Sequence, residues 1–249
     1  MRVDTPLKEA QLFGYPVHLV DQPQAQAQVE EAIAHGENLH VVTLNPEMIM
    51  QGDQNPELGS ILKSSRLVLP DGAGLVWALR KYGYSVNRLP GIEFSEKLLQ
   101  WAAEHGHNVA VVGATQDALE LAVYTLLQRY PQLRIVYQHH GFFSPGEEEE
   151  RIAKACAAAE PKIVLVALGV PRQEKWIDQY KHLFHGTTFI GVGGSLDVWS
   201  GKTQRAPSLM RQLNLEWMYR ITTEPWRIKR TYKTLPLFVV KVLLSRGNA

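Results

Sequence analysis

Short apolar runs rich in valine and isoleucine alternate with longer amphipathic stretches along most of this chain, and that alternation leaves few folds open. The runs at 40–43, 66–69, 109–112, 134–137, 163–167 and 188–192 are of strand length and are bounded by Gly, Pro or Asn. Near-continuous apolar strands suit a parallel sheet covered on both faces, because a strand with one wet face alternates polar and apolar residues instead. Between them, 24–35, 55–64, 91–105, 116–129, 146–159 and 172–184 carry helical patterns. At the fifth of these, Pro145-Gly146 precedes four glutamates, acids well placed at the positive end of a helix dipole. Phe13, Tyr15, Val17 and Leu19 alternate within 12–20, as in a hairpin or edge strand. The pattern predicts one doubly wound, mostly parallel α/β domain over residues 1–200, with no internal repeat.

Residues 201–249 have a different chemistry. They hold ten Lys and Arg against only Glu216 and Glu224, a charge of +8 that offsets −7 in residues 1–200. Trp217, Tyr219, Trp226 and Tyr232 are interleaved with the cations, and an apolar run covers 235–244. Such a segment suits a surface that is anionic and greasy at once, such as a phospholipid bilayer. The plainer alternative is a helical pair docked on its own domain. The apolar window 234–245 is interrupted by Pro236 and Lys241 and is too short to span a bilayer. Nothing near the start reads as a signal peptide, so the expectation is a cytoplasmic chain with a peripheral contact at the inner membrane face. The single Cys156 excludes an intramolecular disulfide and a cysteine zinc site, and its Ala-rich surroundings predict an inert packed thiol. Nothing in the pattern sets an oligomeric state, so a homo-oligomer stays open.

In open α/β sheets ligands bind beyond the carboxyl ends of the strands, so the segments after each strand are the site candidates. Here they are polar and glycine-rich. Leu69-Pro70-Asp71-Gly72-Ala73-Gly74 puts a carboxylate at the threshold of a helix, where Asp71 either caps that helix or accepts a proton as a general base. Val112-Gly113-Ala114-Thr115 and Val192-Gly193-Gly194-Ser195, followed by Asp197, offer backbone N–H groups to a phosphate, although plain turns account for either alone. Neither is a dinucleotide fingerprint or a Walker loop. Thr43-Leu44-Asn45-Pro46-Glu47 and Gly169-Val170-Pro171-Arg172-Gln173-Glu174 bring hydroxyl, amide and carboxylate groups suited to a sugar, or are simply solvated helix starts. His139-His140 point apart on a strand and have no third ligand nearby, and no DxD pair is present, so no metal site is expected. Arg220, Arg227 and Arg230 would share an arc of roughly 80° on one helix, though Pro225 interrupts it.

In this order the motifs resemble the TagA/WecG/CpsF family of bacterial glycosyltransferases, glycosyltransferase family 26. The matching pieces are the Thr43–Glu47 block, Pro70-Asp71-Gly72, Arg88 with Gly91, Gly113, Gly141-Phe142-Phe143, the Gly169–Glu174 block and Gly191-Val192-Gly193-Gly194-Ser195-Leu196-Asp197. They continue through Gly201, Arg205-Ala206-Pro207, Glu216-Trp217-Met218-Tyr219-Arg220, Glu224-Pro225 and Arg227-Ile228-Lys229-Arg230. The resemblance implies a Rossmann-like sheet of the GT-E type with a C-terminal helical appendage. It also implies an inverting, metal-independent transfer of an N-acetylmannosamine-type sugar from UDP to a polyprenyl diphosphate-linked N-acetylglucosamine. Carried over by motif, Asp71 is the base, Thr43, Asn45 and Gln173 are site residues, and Arg88, Arg220, Arg227 and Arg230 bind the acceptor diphosphate. Gly113, Gly169, Gly193, Gly194 and Asp197 are the candidates for the donor nucleotide. Many members carry Lys where this chain has Arg172, which adds bidentate geometry there.

Two other classes compete. An NAD-binding dehydrogenase or epimerase would need a phosphate fingerprint at the first strand-to-helix turn, where Thr43-Leu44-Asn45-Pro46 stands. A non-catalytic nucleic-acid-binding protein would use the basic aromatic tail but leave the sugar-suited rim unexplained, so nucleic acid is not the expected partner.

Overall fold

The computed structural model describes residues 7–212, 216–223 and 228–245. Eight strands are found among them: β1 (Glu9–Leu12), β2 (Tyr15–His18), β3 (Leu39–Leu44), β4 (Leu67–Pro70), β5 (Asn108–Gly113), β6 (Arg134–His139), β7 (Ile163–Ala167) and β8 (Thr188–Gly191). β1 and β2 form an antiparallel hairpin, and the other six form one sheet in the order β4-β3-β8-β7-β5-β6. The pairs β3–β8, β8–β7, β7–β5 and β5–β6 are all parallel. The Rossmann-like mixed α/β fold is therefore the one expected, with each predicted strand in place.

The described residues divide into two compact units. The first gathers the described residues of 7–25, 43–90 and 205–245, the second Gln26–Val42 and Gly91–Gln204. In the first, the hairpin meets β4 where His18 Nδ1 accepts the Val68 N–H at 2.9 Å. Helices Pro46–Gln54, Pro56–Ser64 and Ala73–Lys81 belong to this unit, as do the tail helices Ser208–Gln212, Glu216–Thr223 and Ile228–Leu244. The last of these presses Phe238 and Val242 inward, both fully buried. Tyr82 Oη donates to the Val242 carbonyl at 3.0 Å, Lys241 pairs with Asp53, and Phe238 meets the Phe13 ring edge-on at 6.0 Å.

In the second unit β7 and β8 are buried throughout and β5 from Val109 onward, as near-continuous apolar runs should be. Helices Glu147–Ala158 and Arg172–Tyr180 cover one side, and Phe143, Ile152, Cys156, Val164, Val166, Trp176 and Phe189 share a core there. Burial pushes the Cys156 thiol up to about 12, so the thiolate is out of reach at neutral pH, in keeping with an inert packed residue. One expectation needs correcting. β6 lies at the sheet edge, and its residues alternate between exposed and half-buried instead of being covered on both faces.

Candidate functional site

In the first unit the rim is built by backbone and proline packing. Thr43 lies near the end of β3, and Asn45 caps helix Pro46–Gln54, its side-chain oxygen accepting the Met48 N–H at 3.1 Å. Pro46 occupies the first helical turn, where its missing N–H costs nothing. Asp71 follows β4, and its N–H bonds to the carbonyls of Leu44 at 2.9 Å and Leu69 at 3.0 Å. That ties the end of β4 to the end of β3. A Cβ at Gly74 would come within 2.9 Å of Pro46 Cγ, so glycine lets this loop lie directly on the Asn45–Pro46 turn. Thr43, Asn45 and Asp71 are thus brought to one rim.

Asp71 stands one residue before the N-cap of the helix it precedes. Helix Ala73–Lys81 has Gly72 at its N-cap, at φ 89. Asp71 is held by its backbone at a strand end.

Arg88 lies in the same unit and faces a buried acid. Its Nη2 is 3.6 Å from Glu216 Oε2, and Arg205 Nε is 3.6 Å from Glu216 Oε1. Two guanidiniums bearing on one carboxylate leave net positive charge, which suits a diphosphate. Arg220 falls in helix Glu216–Thr223 and Arg230 in helix Ile228–Leu244, so they do not share one helix. Arg227, and the side chains of Arg220 and Arg230, lie outside the described residues.

In the second unit the candidate loops are fixed from beneath by one helix start. Gly113 ends β5 at φ 134, and any Cβ there would collide with the Ala167 backbone. Strand packing by itself accounts for this glycine. Ala114 N–H donates to Ala167 O at 3.0 Å, and Gly141 N–H to Ala114 O at 2.8 Å, locking the ends of three strands. Gly169, at φ 76, has nothing within 4 Å of its Cβ position, and Gly193, at φ 47, meets only Gln173 Oε1 at 4.0 Å. These two faces are open to a ligand. Gly194 is exposed at φ −77, a conformation any residue adopts. The Asp197 carbonyl accepts the Thr203 N–H at 3.0 Å and the Ser200 hydroxyl at 2.9 Å, closing the turn after β8.

Gln173 is only 3% exposed. Its Oε1 accepts from the N–H groups of Gly169 at 3.1 Å and Gly193 at 3.2 Å, and its Nε2 donates to Glu174 Oε1 at 2.8 Å. Arg172 performs a parallel task. Nη1 donates to Gly141 O at 2.7 Å and Nη2 to Phe143 O at 3.1 Å, with the guanidinium 4.3 Å over the Phe143 ring. A lysine ammonium lacks that planar fork, so the departure at this position has a structural use. His139 and His140 fold their own turn. A ring nitrogen of His139 lies 2.8 Å from the His140 carbonyl, and His140 Nδ1 accepts the Phe142 N–H at 3.1 Å. Among the described residues no three His, Cys, Asp or Glu side chains converge as metal ligands would.

Sequence reasoning passed over Arg205, Glu216 and Glu174 as functional positions. The two acids sit in first helical turns, where the helix dipole already explains them, so only their partners reveal more.

Comparison with known proteins adds to this geometry. A model of the family described as "Glycosyl transferase WecG/TagA/CpsF family" matches residues 10–249. The chain is 36% identical over 209 residues to a Bacillus subtilis (strain 168) protein, covering 84% of this chain and 80% of that one. It is 35% identical over 210 residues to a protein of Staphylococcus aureus (strain NCTC 8325 / PS 47), covering 84% and 81%. Both relatives are named N-acetylglucosaminyldiphosphoundecaprenol N-acetyl-beta-D-mannosaminyltransferase. With the model match running through both units and the motif loops at the sheet rim, the chain belongs to the WecG/TagA/CpsF family of glycosyl transferases.

Proposed function

We propose that this protein moves an N-acetylmannosamine-type sugar from a UDP donor to an N-acetylglucosamine carried on a polyprenyl diphosphate, with inversion at the anomeric carbon. The names of the two relatives support the substrate pair. The observation that carries the chemistry is Asp71, a carboxylate held by backbone bonds at the end of β4 and brought to one rim with Thr43 and Asn45. In the reaction, the acceptor hydroxyl loses its proton to the Asp71 carboxylate as its oxygen bonds the anomeric carbon. The bond from that carbon to the donor phosphate breaks on the opposite face, and UDP leaves with the electron pair. Each unit has its own task. The first supplies the base and, in Arg88 and Arg205, cations for a diphosphate. The second supplies, at Gly169 and Gly193, loop faces with no side chain in the way of the nucleotide. Arginines take up the leaving charge, so no divalent metal is required.

The final helix supports a peripheral membrane contact. While Phe238 and Val242 face inward, Leu237, Val239, Val240, Leu243 and Leu244 are exposed. Exposed apolar residues beside a basic tail suit the boundary between headgroups and acyl chains of an anionic leaflet. No helix among the described residues is long and apolar enough to cross the bilayer.

The deciding experiment offers a synthetic lipid-diphosphate N-acetylglucosamine with a panel of UDP-sugars, and reads products by mass with and without EDTA. Transfer of an N-acetylhexosamine, undiminished by chelation, is expected. Absence of transfer from every UDP-sugar would sink the activity, and loss on EDTA restored by Mg²⁺ would sink its metal independence.

A further inference from the structure

We infer that Glu174 is a positioning residue for the donor-side loops: it orients the Gln173 amide so that this one side chain bridges the backbones that follow β7 and β8. The inference rests on the reading of Gly169 and Gly193 as nucleotide-binding loops, and it changes the role of Gln173. That residue is a staple beneath the site instead of a group that touches substrate.

An amide has two ends of nearly equal size, and only its partners decide which way it faces. Two backbone N–H groups, from Gly169 and Gly193, point at one end of the Gln173 side chain. Only the oxygen can satisfy them. The other end, Nε2, is then buried and needs an acceptor, and Glu174 Oε1 supplies one at 2.8 Å. Remove that acceptor and the staple loses its reason to hold. The amide either keeps a buried donor unpaired or turns over and sets its NH₂ against two N–H groups. Any side chain at Gly191 would collide with the Gln173 amide, so the staple lies flush against the end of β8.

Glu174 is itself 1% exposed, and its second oxygen, Oε2, has no hydrogen-bond partner among the described residues. Burial pushes its carboxyl up to about 7. A group kept so poorly solvated is not placed there for its negative charge. Its contribution is one acceptor oxygen aimed at Nε2, which a neutral amide at the same position also provides. Leucine of similar bulk does not provide it, and aspartate withdraws it by one methylene.

The test compares wild type with Glu174→Leu, Glu174→Gln and Glu174→Asp by two readouts. One is amide hydrogen exchange at Gly169 and Gly193 followed by NMR. The other is the separate change in kcat and in KM for the UDP-sugar. In Glu174→Leu both glycine amides should exchange about tenfold faster while the β7 and β8 interior amides do not change. Its donor KM should rise about tenfold, with kcat falling less than about threefold. Glu174→Gln should match wild type on both counts. Should Glu174→Leu fail to fold, Glu174→Asp carries the same expectation at reduced size. The inference is overturned if the glycine amides stay protected, if exchange quickens with donor KM unmoved, or if folded Glu174→Gln behaves like the leucine variant. A wild type that neither binds UDP nor transfers a sugar defeats the functional reading instead, and the exchange measurement still decides the staple.

Discussion

In the first unit the candidate chemistry is carried by side chains at the rim itself. Asp71 stands half-buried at a strand end, and Arg88 and Arg205 bear on Glu216. In the second unit the candidate contacts are bare backbone at Gly169 and Gly193, and the ionisable or polar side chains nearby, Arg172, Gln173 and Glu174, spend their hydrogen bonds on the loops beneath. The difference separates two ways of making a site. A proton acceptor must be a side chain with a titratable atom at the rim, whereas a nucleotide needs an unobstructed loop surface whose position is set in advance. Substitution in the first unit should therefore remove chemistry, and substitution in the second should loosen binding.

The largest expected effect tests that division directly. Asp71→Asn should lower kcat by roughly 10²–10⁴ with donor affinity nearly unchanged, since the amide keeps the shape but cannot take the proton. A folded Asp71→Asn protein with near-wild-type turnover removes Asp71 as the base. Next comes the final helix. Phe238 is 1% exposed against the first unit, so Phe238→Ala should cost about 3–5 kcal/mol in denaturant unfolding. A cost below about 1 kcal/mol would mean that the tail helix is not part of that unit's core.

Opposed pH dependences follow from two buried groups of the second unit. Burial holds His40 down to about 3, so the unfolded chain binds a proton near 6.5 that the folded one refuses. Stability should fall as pH drops below 6.5, by roughly 2 kcal/mol at pH 5. Glu174 acts in the other direction. The folded protein keeps its proton to about 7 while the unfolded chain releases it near 4.5, so stability falls as pH rises through that window, by roughly 3 kcal/mol in all. Glu174→Gln should abolish the second slope and leave the first. Unfolding curves from pH 4 to 8 that superimpose for wild type and variant would contradict this burial cost. The smallest effect on stability is expected at the outer face of the tail helix. Leu244→Glu, at a residue 76% exposed, should shift unfolding by less than about 0.5 kcal/mol yet weaken sedimentation with anionic vesicles. Undiminished vesicle binding would assign membrane contact to another surface.

Much of the frame was legible in the residues. The opening hairpin, the helices Gly91–His105 and Gln116–Arg129, and the strand ends that carry the motifs all lie where periodicity and turn residues put them. None of the helical patterns covers Pro46–Gln54, but Asn45 and Pro46 offer a helix start as the plain alternative to a sugar contact, and the structure builds that helix. The expected helix at 172–184 ends at Tyr180, and a 3₁₀ turn, Lys181–Leu183, completes the span.

The sequence by itself determined the α/β class, the glycine-rich rim and the family, because burial periodicity and turn chemistry are local properties written every two to four residues. Only the tertiary structure decided what Gln173, Glu174, Arg172 and Glu216 do. Except for the bond between the neighbours Gln173 and Glu174, their partners come from separate strand ends or from distant stretches of chain, and a hydrogen bond depends on distance and direction that no spacing along the chain encodes. The same limit applied to glycine. Gly113 and Gly193 look alike in sequence, yet one is demanded by the neighbouring strand and the other faces open space.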